Sequence, residues 1–341
     1  MQILNSNRKA ISFNDVLLVP SYSTVRSRND VDLSWSIKQY HFKSPIISAN
    51  MDTITGPRMV AEMDNLGGLG ILHRNMSIEK LKNFVEPIKG YSTLALSVGC
   101  VAKDSERINY ILEETRSWIR SPILCIDIAN GFSSNMTDTI RYIRSLKFDG
   151  VIIAGNVCTP EAVAILLDSG ADLIKVGVGP GSVCITREEA GVGYPQLEAV
   201  YNCAKVGPII ADGGIKTPGD AAKCLAVGAK AVMLGGALAG TDCVPGWHIP
   251  DGEGLAFLSF RGSASREAQE AAGCPVTSVE GKSLLVPMRA KGSTRDVVKR
   301  YEAGIKSAMS YSDSRTIKEF YKKAKIVHIS PTSVQENGAH F

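Results

Sequence analysis

Short apolar runs recur along the chain, and most are followed by a segment with the periodicity of an amphipathic helix. The eight runs cover residues 44–50, 68–73, 93–99, 123–130, 150–156, 173–179, 208–214 and 231–236. Helical patterns follow seven of them, at residues 57–66, 78–86, 104–116, 133–146, 160–169, 195–204 and 218–226. Two of these helices begin with a Thr-Pro pair, at Thr159 and Thr217, which is a typical helix start. Near-continuous hydrophobicity in short runs is typical of parallel strands buried on both faces.

The number of strands favours a closed barrel. Eight parallel strands that alternate with helices form a (β/α)8 barrel, and a chain of 341 residues is long enough for one. An open, doubly wound sheet is the alternative, but it usually has fewer strands, and no GxGxxG motif opens a helix after the first run. We therefore predict a single (β/α)8 TIM barrel over residues 1–341, with an N-terminal extension at about 1–40 and a C-terminal tail at about 326–341.

The carboxyl ends of the runs hold most of the residues that a buried strand avoids. They read SANMDT, ILHRN, DIANG, AGN, GVGPGS, ADGG and MLGG, which are rich in Asn, Asp and Gly. Packing does not explain this asymmetry, whereas the active sites of (β/α)8 barrels lie at the carboxyl ends of the strands. The pattern therefore predicts a functional mouth at that end of the barrel.

Composition and charge exclude several classes of partner. The formal net charge is +4 and no basic tract is present, so we predict no nucleic-acid partner. No apolar stretch reaches the length of a membrane span, and the N-terminus does not resemble a signal peptide, so we predict no membrane partner. The eight cysteines form no CxxC pair and show no zinc spacing, which is typical of a reduced, cytoplasmic protein.

Cys184 lies in a glycine-rich loop whose composition suggests a catalytic role. After the sixth run, the loop contains glycines at 177, 179, 181, 191 and 193, with Cys184 between Ser182 and Thr186. Glycines at this density allow a close approach of the backbone to a ligand. A thiol held there is a candidate nucleophile, because nearby cations or backbone N–H groups would populate the thiolate. A buried structural cysteine beside a tight turn is the alternative.

Glycine pairs follow the seventh and eighth runs. They read Asp212-Gly213-Gly214 and Gly235-Gly236. In barrels these two loops often bind phosphate through backbone N–H groups, and Asp212 could accept hydrogen bonds from ribose hydroxyls. Ordinary glycine turns, with Asp212 as a turn or cap residue, are the alternative. Both pairs together, after the cysteine loop, favour a nucleotide site.

The sequences GPGSVCITR and GVGYPQ closely resemble the active-site loop of the IMP dehydrogenase and GMP reductase family. The resemblance extends from about Phe13 to about Lys325, and also covers the DGG and MLGG motifs and the segment Phe260–Ser265. In that segment Ser263 replaces the methionine that the family usually carries. The resemblance implies purine nucleotides, GMP or IMP, as ligands. It implies contacts from Asn50, Met51, Asn156, Ser182, Asp212, Gly213, Gly214, Gly235, Gly236, Gly262, Ser263, Ser265 and Gly281.

Both reactions of this family pass through a covalent adduct between the cysteine and purine C2. Several features favour the reductase over the dehydrogenase. No CBS insert separates the second helix from the third strand, and residues 262–280 contain no Arg-Tyr pair to activate water. The sequence EGK at Glu280, followed by Val286-Pro287, resembles the reductases, in which the glutamate acts with the threonine that matches Thr186. The resemblance thus implies Cys184, Thr186 and Glu280 as catalytic residues.

Other stretches favour the dehydrogenase. DVLLVPSYSTV and GGLGILHRNMSIE are more similar to its sequences, and Thr277 replaces an arginine that reductases usually carry. The chain thus combines features of both enzymes, and on the active-site features above we expect an NADPH-dependent GMP reductase. The alternatives are an IMP dehydrogenase without CBS modules and a non-catalytic purine-nucleotide-binding barrel.

The resemblance also implies a cofactor, a cation and an assembly. It implies NADPH contacts from Ser27, Arg28, Arg74, Asp127, Ile128, Ala129, Val178, Gly179, Ser307, Ser310 and Tyr311. Arg74 stands where the family often has lysine, and Arg28 could pair with a 2′-phosphate. A monovalent cation, potassium, would bind the carbonyls of Gly179, Gly181 and Cys184. Family members are usually homotetramers.

Overall fold

The computed structural model describes residues 9–86, 93–115, 122–246, 249–250, 256–273, 275–288 and 290–336. Three short strands precede the barrel: β1 (Val16–Val19), β2 (Trp35–Ile37) and β3 (Tyr40–Phe42). The barrel strands follow: β4 (Ile46–Ser48), β5 (Leu69–Leu72), β6 (Ala95–Val98), β7 (Ile123–Asp127), β8 (Val151–Val157), β9 (Leu173–Val176), β10 (Ile209–Asp212) and β11 (Ala231–Leu234). Seven of the eight predicted apolar runs contain a barrel strand in full, and β8 extends one residue beyond the run at 150–156.

The eight strands close into a parallel barrel, as the sequence predicted. They lie in sequence order from β4 to β11, and β11 pairs with β4 through Val232–Ile46, Met233–Ile47 and Leu234–Ser48. Most of their residues are buried, because helices cover the outside and side chains fill the inside. The (β/α)8 prediction is therefore confirmed.

Helices alternate with the strands around the barrel. They are α1 (Pro57–Asn65), α2 (Ile78–Val85), α3 (Val101–Thr115), α4 (Ser134–Ser145), α5 (Pro160–Asp168), α7 (Gln196–Ala204) and α8 (Pro218–Ala226), with the short α6 (Thr186–Glu189) in the cysteine loop. The Thr-Pro starts are confirmed at α5 and α8. Thr159 Oγ1 accepts from the N–H of Ala162, and Thr217 Oγ1 accepts from the N–H of Asp220.

The region after β11 was not predicted as structure. It contains β12 (Ile249–Pro250), β13 (Ala256–Arg261), α9 (Arg266–Ala271) and β14 (Ser283–Pro287), and the three strands form an antiparallel sheet. The eighth barrel helix, α10 (Thr294–Tyr311), comes only after this insertion and packs against α8 and α1. Its distance from β11 in the sequence explains why no eighth strand–helix unit was recognised.

The two ends of the chain pair with each other. After α11 (Ile317–Lys323), β15 (Lys325–His328) runs antiparallel to β1, with Val16 opposite His328 and Val19 opposite Lys325. Three short 3₁₀ turns, at Phe13–Asp15, Arg28–Asp30 and Pro331–Glu336, complete the described elements. Among the described residues, no helix combines the length and the apolar character that crossing a membrane requires.

A hairpin of β2 and β3 lies at the amino end of the barrel. Trp35 stacks on Phe42 with ring centroids 4.7 Å apart, and its Nε1 donates to the carbonyl of Ser44 at 3.1 Å. At the hairpin turn, Lys38 Nζ donates to the carbonyl of Gly150 at 3.1 Å and pairs with Asp172 at 2.8 Å. The hairpin therefore connects the amino ends of β4, β8 and β9.

We predict that Trp35→Ala destabilises the protein by about 3–5 kcal/mol, because it removes a large buried ring and leaves a cavity. The measurement is the shift of the urea-denaturation midpoint. Tyr22→Ala is the matched control, since Tyr22 is 92% exposed; we expect a change within about 0.5 kcal/mol for it. Equal shifts for the two variants would contradict this role of the hairpin.

Candidate active site

The loop after β9 holds Cys184 in a tight turn. The N–H of Cys184 donates to the carbonyl of Gly181 at 3.1 Å, and α6 begins two residues later at Thr186. The thiol of Cys184 donates to Oγ1 of Thr186 at 3.2 Å. Cys184 is half-buried, so its sulfur is held by the loop yet remains within reach of a ligand.

Other cysteines are poor candidates for a nucleophile. Burial raises the pKa of the Cys125 thiol to about 12, and that of Cys203 to about 12. Burial also raises the pKa of Cys224 well above its usual value. Because the thiolate is the reactive form, these buried thiols are inert.

A second backbone segment lies against the cysteine loop. Cys184 and Gly281 form an antiparallel bridge, in which Ile185 N–H donates to the Glu280 carbonyl at 2.9 Å and Lys282 N–H donates to the Val183 carbonyl at 2.8 Å. Glu280 is half-buried beside this pairing. The fold therefore brings Cys184, Thr186 and Glu280 together, although Glu280 is remote from the other two in the sequence.

A third segment, residues 262–265, supports the second. Gly262 N–H donates to the Lys282 carbonyl at 3.1 Å, and Glu280 N–H donates to the Ala264 carbonyl at 3.1 Å. Ser265 is fully buried, and its Oγ accepts from Ala268 N–H as the N-cap of α9, whereas Ser263 is exposed in the turn. Gly281 packs so closely that an added Cβ would lie 2.8 Å from the nitrogen of Ser265.

The glycine pairs after β10 and β11 both face the cysteine loop. Gly213 and Gly214 have φ of +97° and +75°, and an added Cβ on either would press on Pro180. An added Cβ at Gly236 would lie 2.6 Å from Oγ of Ser182, and one at Gly235 would lie 3.3 Å from the sulfur of Met51. The structure therefore gathers these predicted substrate residues into one glycine-lined cradle, in which a ligand can approach the backbone closely.

Two carboxylates in the mouth share one buried lysine. Lys175 Nζ lies 2.6 Å from Asp127 Oδ1 and 2.9 Å from Asp212 Oδ2. Asn156 Nδ2 also donates to Asp212 Oδ2, at 2.9 Å, and to the Gly177 carbonyl at 2.7 Å. This network fixes Asp212 directly before the glycine pair.

Opposite charges in the network shift the pKa values of Lys175 and Asp127 towards their ionised forms. Burial acts to lower the pKa of Lys175, but Asp127 and Asp212 outweigh it and the pKa lies above its usual value. Burial acts to raise the pKa of Asp127, but the Lys175 ammonium holds it below its usual value. Lys175 and Asp127 are therefore both ionised near neutral pH.

The loop after β4 forms another side of the mouth. Asn50 is buried, with 7% of its surface exposed, and Met51 is half-buried. The next residue, Asp52, pairs with the guanidinium of Arg261 at the end of β13, with Nε 3.0 Å from Oδ2. This ion pair joins the β4 loop to the inserted sheet.

The predicted cofactor residues divide into two groups. The first lies in the mouth, where Arg74 Nε donates to the Asp127 carbonyl at 3.2 Å and Ile128 N–H donates to the Gly155 carbonyl at 3.0 Å. Ala129 follows Ile128 and is exposed. Val178 accepts from Tyr194 N–H at 3.3 Å, and Gly179 has φ of +86°.

Comparison with known proteins identifies the family. A model of the IMP dehydrogenase / GMP reductase domain matches residues 10–340. The chain belongs to the IMP dehydrogenase/GMP reductase family.

Its similar relatives include proteins named GMP reductase. One, from Caenorhabditis elegans, is 36% identical over 95% of this chain and 93% of its own length. Another, from Yersinia enterocolitica serotype O:8, is 36% identical over 96% of both chains. A third, from Yersinia pestis strain Pestoides F, is 37% identical over 96% of both chains.

The second group of predicted cofactor residues lies on α10 and on the 3₁₀ turn that packs against it, not in the mouth. Ser27 and Arg28 begin a 3₁₀ turn that packs on α10, the helix that carries Ser307, Ser310 and Tyr311. The adjacent Ser21 N–H donates to the Tyr311 carbonyl at 2.9 Å. The structure brings these five residues to α10, and in the described part of the chain no hydrogen bond links them to the cysteine loop.

The predicted cation ligands are backbone carbonyls in the cysteine loop. The Gly181 carbonyl accepts from Cys184 N–H, which leaves it a second lone pair. The described residues contain no group of three or more His, Cys, Asp or Glu side chains that could hold a metal ion.

Sequence reasoning missed several residues of this family member's site. The sequence did contain a sign of the role of Lys175, because a lysine inside the apolar strand LIKV needs a buried partner of opposite charge. Gln196, which is 3% exposed, donates from Nε2 to the carbonyls of Val176 and Asp212. It fixes the ends of β9 and β10, and its position at a helix start gave no warning of that role.

His73, at the carboxyl end of β5, was also missed. It is 5% exposed, and its Nδ1 is buried without a hydrogen-bond partner among the described residues. Burial lowers the pKa of His73 to about 4; Asp52 opposes this shift, and Lys80, Arg107 and Arg261 add to it. The ring packs edge-on against Phe84, with the ring centroids 6.4 Å apart.

We predict that His73 makes the protein acid-sensitive. The unfolded chain protonates this imidazole near its ordinary pKa of 6.5, whereas the folded protein keeps it neutral to about pH 4. Stability is therefore lost as the pH falls from 6.5 to 4, by roughly 3 kcal/mol. The test compares urea midpoints across this range for the parent and His73→Leu, which should show a shallower slope. The control is His41→Leu, at an exposed position; a parent-like slope in His73→Leu would refute the assignment.

Proposed function

We propose that the chain is a GMP reductase, which converts GMP to IMP and ammonia with a nicotinamide cofactor. The observation that carries the proposal is the backbone pairing that sets Glu280 beside the loop of Cys184 and Thr186. Relatives named GMP reductase, 36–37% identical over nearly the whole chain, support it.

In the proposed mechanism, Cys184 is the nucleophile. Its thiolate adds to C2 of GMP, a C–S bond forms, and the C2–N bond to the amino group breaks. Thr186 and Glu280 deliver the proton that lets this group leave as ammonia. The bound cofactor supplies the hydride that reduces C2. The C–S bond then breaks, IMP leaves and the thiolate is restored.

The nucleotide would bind across the mouth. We assign its phosphate to Ser182, Gly213, Gly214, Gly235 and Gly236, because these residues line one cradle whose glycines would let a phosphate approach backbone N–H groups. Asp212 and Asn156 would hold the ribose. The base would contact Asn50, Met51, Gly262 and Gly281, with Ser263 and Ser265 in the adjoining turn.

The residues of the mouth fit a nicotinamide cofactor. Asp127 has 21% of its side chain exposed, enough to accept from ribose hydroxyls, and Gly179 has no side chain to block a flat ring. We propose NADPH, with Ile128 and Ala129 near the nicotinamide ribose, Val178 under the ring and Arg74 near the phosphates. Ser27, Arg28, Ser307, Ser310 and Tyr311 would bind the adenosine end, where Arg28 suits a 2′-phosphate.

The proposed enzyme also has an expected domain organisation, assembly, location and cation site. Residues 1–341 would form one catalytic domain with an N-terminal extension (about 1–40) and a C-terminal tail (about 326–341). It would assemble as a homotetramer and work in the cytoplasm. Potassium would bind the carbonyls of Gly179, Gly181 and Cys184.

An IMP dehydrogenase is the second candidate, and the sequences DVLLVPSYSTV and GGLGILHRNMSIE favour it. That reaction needs a base that activates water against the adduct. Residues 262–280 contain no Arg-Tyr pair to provide one. An adduct without such a base would persist until hydride or ammonia reached it.

The deciding experiment measures both reactions on one purified sample. We expect oxidation of NADPH with GMP, together with release of ammonia, and no reduction of NAD with IMP. Cys184→Ala should abolish turnover yet still bind GMP, because it removes only the nucleophile, whereas Cys203→Ala is the control at a buried cysteine on α7. Reduction of NAD with IMP would establish the dehydrogenase, and normal turnover by Cys184→Ala would refute the mechanism.

We predict that Glu280→Gln lowers kcat about 10²–10⁴-fold with little change in GMP affinity, since it removes a proton donor rather than a binding contact. Steady-state kinetics and calorimetric binding of GMP measure the two effects. Glu188→Gln is the matched control, because Glu188 is exposed in the neighbouring cysteine loop. A kcat within threefold of the parent for Glu280→Gln would remove Glu280 from the reaction.

A further inference from the structure

We propose that Lys175 is a positioning residue that couples the binding of the purine nucleotide to the binding of the nicotinamide cofactor. Its ammonium is the physical link between Asp127, on the cofactor side of the mouth, and Asp212, on the nucleotide side. The inference rests on the proposed function, because that function places the two ligands at these carboxylates.

The strand register shows how the link is built. Asp127 on β7 pairs with Gly155 on β8, and Gly155 pairs with Lys175 on β9. Residues paired in this way point to the same face, but β7 and β9 are about 10 Å apart, which is twice the strand spacing. Because Gly155 has no side chain, Lys175 crosses β8 and reaches Asp127; an added Cβ at Gly155 would lie 2.6 Å from the Cβ of Lys175.

On the other side, Lys175 reaches β10. It pairs with Ile210, and Asp212 lies two residues further along the same strand, on the same face. One ammonium, carried by β9, therefore links β7 to β10 and spans four consecutive strands. Asn156 adds a second, neutral contact to the same Asp212 oxygen, Oδ2.

The exposures of the three side chains suit a link beneath two binding sites. Lys175 has 4% of its side chain exposed, whereas Asp127 has 21% and Asp212 has 18%. The carboxylates thus reach the surface of the mouth, where ligands arrive, and the ammonium lies below them. Lys175 itself would touch neither ligand, so its effect on them passes through the two carboxylates.

Coupling follows from this arrangement. A ligand that hydrogen-bonds to one carboxylate fixes the ammonium, and the ammonium then holds the other carboxylate in its binding position. The second ligand therefore meets a site that is already ordered and binds more tightly. Because such coupling is reciprocal, each ligand must raise the affinity for the other by the same factor.

The test measures this factor in Cys184→Ala, which cannot form the adduct, so both ligands stay intact. Calorimetry gives the affinity for GMP with and without saturating NADPH, and for NADPH with and without saturating GMP. We expect each ligand to tighten the other about tenfold. Adding Lys175→Met should reduce the factor to near one, and Lys175→Arg, which keeps the charge, should restore most of it.

Lys38→Met is the matched control. Lys38 also pairs with a carboxylate, Asp172, but at the amino end of the barrel, away from the mouth. Its removal should cost stability and leave the coupling factor unchanged, which separates a positioning role from a structural one. If Lys175→Met does not fold, Lys175→Gln replaces it with the same expectation.

The outcomes separate the coupling from the proposed function. Three outcomes would overturn the coupling alone, provided that both ligands bind. They are a coupling factor preserved within twofold in Lys175→Met, no coupling in Cys184→Ala itself, and an equal loss of coupling in Lys38→Met. A parent that binds neither GMP nor NADPH would overturn the proposed function and, with it, the coupling.

Discussion

Hydrogen-bonded closure of the barrel, through the pairing of β11 with β4, is the constraint on which the site depends. Closure brings the carboxyl ends of eight strands around one axis, so loops that are remote in the sequence become neighbours. The cradle of Ser182 with Gly213 and Gly236 exists only because β9, β10 and β11 end side by side. An open sheet with the same strands would leave β4 and β11 at opposite edges and would separate Met51 from Gly235.

The inserted sheet after β11 adds what the barrel alone lacks. Backbone hydrogen bonds between residues 183–185 and 280–282 attach it to the cysteine loop, and the Asp52–Arg261 ion pair attaches it to the loop after β4. These contacts hold the backbone of Glu280 against the loop that carries the half-buried Cys184. Because backbone pairing sets the register, Glu280 is positioned by the hydrogen bonds of its own carbonyl and N–H, to Ile185 and Ala264.

The carboxylates of Asp127 and Asp212 in the mouth are paired with one lysine, Lys175, which is buried beneath them. A buried ammonium without partners would lose its proton, but two carboxylates at 2.6 and 2.9 Å keep Lys175 charged. In turn, Lys175 keeps Asp127 ionised despite its burial. The buried charges of Lys175 and Asp127 are tolerable because each faces an opposite charge, which makes the network one coupled unit.

The sequence by itself determined the eight strands, seven of the barrel helices and the loops that carry Cys184, Asp212 and Gly235-Gly236, because these follow from local periodicity and turn chemistry. It did not determine the inserted sheet, the β1–β15 pairing or the Lys175 bridge. Those features join residues far apart in the chain, and their partners are chosen by register and by the need to neutralise a buried charge. Only tertiary structure decides such pairings, since no local pattern records which distant carboxylate or strand will meet a given residue.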